Sequence, residues 1–332
     1  MPFLISVLPV LVLLAGLIYF DSYQLVPMRR VVLAIGVGVL VAGVTYFLNL
    51  WLMEELDLEF GTYTRYIAPV LEEFLKAAYP VGLVWRRRIG FLVDGAILGF
   101  AVGAGFAVVE NISYVSTIST DNPLVWVIRG FGTAVMHGGM TAVFVVTYKS
   151  LSEQRSSRAL QLLLPGFGIA AGMHSFFNHF FLSPVLTTVL VVLTVPALMV
   201  AIFRSSENAT QQWLGVGFDT DADLLTMIMT GNIAATRVGT YLGSLQERMR
   251  GEIVVDMLCY MRIFLELSIQ AKGILIMREA GFDIPPDPDV KSKFEELSFL
   301  ERSIGKTGKL ALGPLLRVND RDLWQLYMLQ GT

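Results

Sequence analysis

The sequence predicts an all-α protein: a bundle of about seven transmembrane helices followed by a helical soluble domain. Three observations carry this. First, the 332 residues are 54% hydrophobic and only 16% charged, whereas soluble domains carry about 25% charged residues. Mean hydropathy is correspondingly positive, at +0.61. Second, the apolar residues fall into segments of the length a bilayer requires. Third, charge is uneven. Residues 1–204 hold 12 Lys/Arg and 11 Asp/Glu, and residues 205–332 hold 13 and 17. The expected domains are therefore 1–204 in the membrane and 205–332 as a cytoplasmic helical domain.

The apolar segments run 3–20, 31–53, 66–85, 91–117, 124–148, 159–182 and 185–203. The first lacks the basic flank of a signal peptide, and a second apolar run follows closely, so it reads as a retained span. Basic residues mark alternate loops. Arg29 and Arg30 follow the first segment, Arg86, Arg87 and Arg88 the third, Lys149, Arg155 and Arg158 the fifth, and Arg204 the seventh. The other loops hold only Arg65 and Arg129. The positive-inside rule then predicts an outside N-terminus and a cytoplasmic C-terminal domain. Gly95, Gly99 and Gly103 repeat every four residues, as do Gly168 and Gly172. That spacing predicts close helix contacts in lipid.

Beyond residue 204 no strand alternation occurs. Residues 221–248 and 252–279 read as amphipathic helices. Pro285, Pro286 and Pro288 break the chain, and shorter helices are expected over 290–303 and 319–329. Basic residues are scattered and net charge is −3, which argues against nucleic-acid binding. The single Cys259 excludes an intrachain disulfide.

Against this apolar background, Glu72, Glu73, Lys76, Asp94, Glu110, His137, His174 and His179 lie inside membrane-length stretches. An ionised group at the bilayer centre costs at least ~2.5–3.5 kcal/mol, so such residues point to a polar functional site. Glu72 and Lys76 share a helix face, and Glu73 is three residues from Lys76. One carboxylate can then be offset by Lys76 while the other stays free to act as a general base. Pro69 is expected to mark the first turn of that helix, which would put both carboxylates near the positive end of its dipole. Glu110 is followed by Asn111 and lies one turn from Phe106, and His174 lies one turn from Asn178.

At ~1.5 Å per residue, Glu72, Glu110 and His174 fall roughly 9–12 Å from the outer ends of their helices, and His137 about 20 Å. They are expected to form one outer-half layer. Simpler roles compete. The Glu72–Glu73–Lys76 group could be a structural ion cluster and His137 a packing residue. His179 reads as structural near the interface, and Asp94 could sit at the cytoplasmic headgroups.

The order Glu72-Glu73-x-x-Lys76, Asp94-Gly95, Phe106-x-x-x-Glu110-Asn111, His137, His174-x-x-x-Asn178 resembles the PrsW family of intramembrane proteases over roughly residues 30–200. That family is similar to the CAAX prenyl proteases and bacteriocin-processing enzymes, whose second motif ends in His where this chain has Glu110. The resemblance implies peptide hydrolysis in the membrane by a glutamate-activated water, with no metal and no cofactor. By that likeness Glu72 or Glu73 is the base, with Glu72 favoured. Glu110 would orient the water, and His174 and Asn178 would donate to the oxyanion. Lys76 would tune the carboxylates, with Phe106, Asn111 and His137 in support. The implied partner is a membrane-anchored protein, such as an anti-sigma factor.

Two alternatives stay open from the residues themselves. Glu110, His137 and His174 are acceptable zinc ligand types for a metal-dependent hydrolase, although no H-E-x-x-H helix occurs. Intramembrane carboxylates equally suit a proton-coupled transporter, or a scaffold signalling through its cytoplasmic domain.

Overall fold

The computed structural model describes every residue except 156, 283, 285, 286, 317–319, 331 and 332. Among the described residues there are helices and no strands. The chain divides into two compact units, Met1–Glu207 and Asn208–Thr332.

The first unit contains α1 (Pro2–Tyr19), α2 (Met28–Glu55), α3 (Phe60–Trp85), α4 (Leu92–Thr117), α5 (Pro123–Val127), a π-helical segment Ile128–Ala134, α6 (Val135–Gln154) and α7 (Leu163–His179). α8 (Pro184–Met229) contributes residues to both units. Among the described residues, six helical stretches are long and apolar enough to cross a membrane, with α5, the π segment and α6 forming one of them. α3 is not among the six, because its central turns carry Glu72, Glu73 and Lys76. In lipid a helix is one of the few ways to satisfy every backbone group internally, which is why these segments are helical throughout.

Helix α4 is the centre of this unit. Ala96, Ile97, Leu98, Phe100, Ala101 and Val102 are all fully buried. Its glycines explain how neighbours approach so closely. A Cβ on Gly99 would lie 2.9 Å from the Ala142 Cα, and one on Gly103 would lie 2.4 Å from the His137 carbonyl oxygen. These contacts bring α6 backbone to backbone with α4. On another face Gly105 abuts the Ile35 carbonyl, and Gly38 of α2 abuts Val102. Gly168 and Gly172 do not behave this way. Nothing lies within 4 Å of a Cβ built on either, so the expected contact through that pair is corrected. Spacing alone does not show whether a small-residue face meets a partner.

Pro69 also departs from expectation. It lies inside α3, which begins at Phe60, so Glu72 is far from the N-terminal dipole. The flanking apolar residues carry the helix through a proline that removes only one ladder bond.

The second unit contains the rest of α8, a 3-10 turn Asn232–Ala235, α9 (Arg237–Leu245), α10 (Gly251–Glu279), α11 (Asp289–Leu316) and α12 (Asp320–Gln330). The helix expected over 221–248 is divided. α8 runs unbroken to Met229, and Gly231 turns the chain at φ +74°. The Thr236 hydroxyl then caps α9 by accepting from the Gly239 amide at 3.2 Å. α11 extends past residue 303 and consists of two helical pieces meeting at Gly305, where φ is +63°. Pro285, Pro286 and the expected helix start at 319 lie outside the described residues. Inside this unit the Lys272 ammonium lies 2.5 Å from Asp221 Oδ2, to which Ser268 also donates.

Candidate active site

The Glu–His pattern scattered over a hundred residues becomes one cluster. α3 contributes Glu72, Glu73 and Lys76; α4 contributes Phe106 and Glu110; α6 contributes His137; and α7 contributes His174. Lys76 Nζ donates to Glu73 Oε1 at 2.6 Å and lies 2.8 Å from His137 Nδ1, over the Phe106 ring at 4.6 Å. His137 Nε2 is 2.9 Å from Glu110 Oε2. His174 Nδ1 is 2.9 Å from Glu73 Oε1, and its Nε2 is 3.9 Å from Glu72 Oε2. The two imidazole rings meet edge to face at 4.7 Å.

These contacts assign the protons. An ammonium has donors only, so His137 must accept from Lys76 through Nδ1. Its Nε2 then carries the hydrogen and donates to Glu110. Glu73 accepts at Oε1, so His174 donates from Nδ1 and turns Nε2 towards Glu72.

Burial separates the paired carboxylates. The Glu73 side chain is 0% exposed and committed to Lys76 and His174. Glu72 is 13% exposed and Glu110 27%. Glu72 therefore keeps a reachable oxygen, whereas Glu73 serves the interior.

Three residues that the sequence reading passed over join the site. Asn49 on α2 donates to Glu72 Oε1 at 3.3 Å, and Tyr63 on α3 donates to Asn49 Oδ1 at 2.8 Å. Asn49 is the lone amide of the second apolar segment, which is the signal it left. Arg129 pairs with Glu110 Oε1 at 3.3 Å. In the sequence it stands as a lone basic residue in a loop.

Other residues lie elsewhere. Asn178 donates to the Thr64 carbonyl at 2.9 Å, and Ser175 to that of Arg65 at 2.6 Å, so both tie α7 to α3. Asn111 belongs to the Arg129 side, accepting from its Nε at 2.9 Å. Asp94 caps the start of α4 by accepting from the Gly90 amide at 2.9 Å, about 24 Å along the helix from Glu110. His179 turns to the Ser175 carbonyl and to Phe181 and Tyr66, outside the cluster.

The family model described as PrsW family intramembrane metalloprotease matches residues 26–202, more than half of the chain. The chain belongs to the PrsW family. It is accordingly an intramembrane protease, and the cluster lies within the matched residues. Neither curated proteins nor solved structures yielded a match.

The word metalloprotease invites a test of the PrsW site. One ligand atom each from Glu72, His137 and His174 lie within 4.8 Å of one another. A carboxylate with two imidazoles is a suitable zinc donor set, and Glu73 on His174 Nδ1 is the outer partner such a ligand usually has. Donor type and spacing therefore fit a cation. The contact from Lys76 opposes it, because a His137 that accepts at Nδ1 holds its hydrogen on Nε2 and offers no lone pair there.

Proposed function

We propose that this PrsW protease hydrolyses a peptide bond of a membrane-anchored protein with a water activated by Glu72. The observation that carries this is the pairing of a reachable Glu72 carboxylate with His174 Nε2 across 3.9 Å. That separation is too long for a hydrogen bond and short enough for both atoms to contact one water. Glu72 takes the proton as the water oxygen attacks the carbonyl carbon, and the same proton can pass to the departing amine. General-base help of this kind contributes about 10²–10⁴-fold. Asn49 holds the other oxygen of Glu72 and so aims it.

His174, in the form that carries hydrogen on both nitrogens before the attack, donates from Nε2 to the oxyanion, with Glu73 stabilising the imidazolium. One such donor is worth ~2.7–4 kcal/mol in the transition state. Asn178, one turn on from His174, ties α7 to the Thr64 carbonyl of α3 and so holds the His174 turn in place. Glu110 and His137 form the opposite wall and orient the water. Lys76 fixes the tautomer of His137, and Phe106 and Asn111 support the wall. The substrate class is a membrane-anchored regulator such as an anti-sigma factor. The loop charges favour a cytoplasmic domain after residue 204 and a site in the outer half.

Metal-dependent hydrolysis is the second reading, favoured by the Glu72, His137 and His174 spacing. Those three residues would hold the ion, which would supply Lewis-acid polarisation of water and carbonyl. One experiment tests both. The purified full chain is reconstituted with a fluorophore- and quencher-labelled single-span peptide, and metal content is measured alongside turnover. Cleavage by metal-free protein that is lost in Glu72→Gln is the expected result. Loss on chelation with recovery on zinc addition would favour the second reading.

A further inference from the structure

We infer that Arg129 is a positioning residue of the site, clamped by α1 and α4 so that Glu110 keeps its hold on His137. This rests on reading the Glu–His cluster as catalytic.

Arg129 lies in the π-helical segment between α5 and α6. Such wide turns are uncommon and concentrate at functional sites. Its side chain is 13% exposed and is engaged on three sides. Nη2 faces Glu110 Oε1 at 3.3 Å as a charge contact without hydrogen-bond geometry, Nε donates to Asn111 Oδ1 at 2.9 Å, and the guanidinium carbon lies 3.5 Å over the Tyr114 ring. All three partners are on α4.

The amide of Asn111 is itself oriented. Its Nδ2 donates to the Ser6 carbonyl of α1 at 2.6 Å, which turns Oδ1 towards Arg129. Gly130, the next residue, sits directly against the Ile5 carbonyl, where a Cβ would lie at 2.1 Å. α1 thus braces both Arg129 and the amide that holds it. Yet α1 lies outside the residues that the family model matches.

The consequence falls on Glu110. Oε1 faces the Arg129 charge and Oε2 is hydrogen-bonded to His137, so each oxygen has a cationic or donor neighbour. Glu110 is the more exposed of the two reachable carboxylates. Without the guanidinium it is free to turn away, and the Nε2 hydrogen of His137 loses its acceptor. A lysine keeps the charge but cannot lie flat on Tyr114 while bonding Asn111, so the planar fork is the feature required.

The test has an arm that needs no turnover. Histidine-¹⁵N-labelled full chain is observed by NMR, with His137 assigned from a His137→Asn spectrum. Wild type should show a protonated Nε2 on His137. Arg129→Gln should shift that resonance, and Arg129→Lys should shift it in the same direction. An unchanged His137 signal in folded Arg129→Gln overturns the inference. Where Arg129→Gln fails to fold, Arg129→Lys decides in its place.

The second arm uses the labelled single-span peptide. Arg129→Gln should lower kcat between about tenfold and a hundredfold with KM nearly unmoved, as a misplaced reacting group does. In a Glu110→Gln background the same change should cost far less, because Arg129 acts through Glu110. Fully additive losses overturn the inference. Normal turnover in Glu72→Gln would instead sink the catalytic reading, leaving the NMR arm to judge Arg129.

Discussion

Nζ of Lys76 lies 2.8 Å from Nδ1 of His137, and this contact sets the direction of the hydrogen bond between His137 and Glu110. The ammonium can only donate, so His137 donates onward to Glu110, while the Glu73 carboxylate accepts from both Lys76 and His174. A fully buried Lys–Glu pair supports two histidines from different helices. The first expectation is a difference between the adjacent glutamates. Glu72→Gln should reduce single-turnover cleavage by at least about a hundredfold while leaving thermal stability unchanged, since it removes the base and little packing. Glu73→Gln should lower stability as well, because Lys76 then stays buried without its counter-charge. Equal melting temperatures for the two variants would contradict this division.

Removing the ammonium should open His137 to metal. Lys76→Met breaks a buried pair, for which a cost of about 3–5 kcal/mol is usual, and leaves the Nδ1 lone pair of His137 without the ammonium that occupies it. Zinc content of the folded Lys76→Met protein should exceed that of wild type under equal zinc. Equal stoichiometric zinc in both would mean that Lys76 does not guard the ring.

The α4–α6 contact predicts a steric effect on the site. Gly103→Ala places a methyl group 2.4 Å from the His137 carbonyl and should cost about 1–3 kcal/mol or more, with activity falling as His137 shifts. Gly172→Ala meets nothing within 4 Å and should be neutral in both measurements. Thermal melts and turnover of the pair check the contrast.

The orientation can be read chemically. With Cys259 replaced by Ser, a cysteine at Ser205 should resist an impermeant thiol reagent in intact cells and react after lysis. Labelling before lysis would reverse the topology and move the site to the inner half.

Much of this was legible because lipid is a strict solvent. It demands long apolar helices, so α1, α2, α4 and α8 were marked in the sequence to within a few residues at their membrane starts. It also makes Glu72, Glu110, His137 and His174 conspicuous, since each is costly there. Water imposes no such pattern on the second unit. There the end of α8 and the kink at Gly305 depend on backbone conformation at single glycines, and composition did not reveal them.

By itself the sequence determined an all-helical membrane protein, its polar constellation and its family likeness, because hydropathy and motif order are one-dimensional quantities. The tertiary structure alone decided which polar groups meet. It paired Lys76 with Glu73 rather than Glu72, drew Asn49 and Arg129 into the site, and turned the Asn178 amide to the Thr64 carbonyl. It also buried Gly99 and Gly103 against α6 while leaving Gly168 and Gly172 open. Side-chain partnerships depend on how helices are rotated against one another, and a spacing of three or four residues names a face without saying what that face touches.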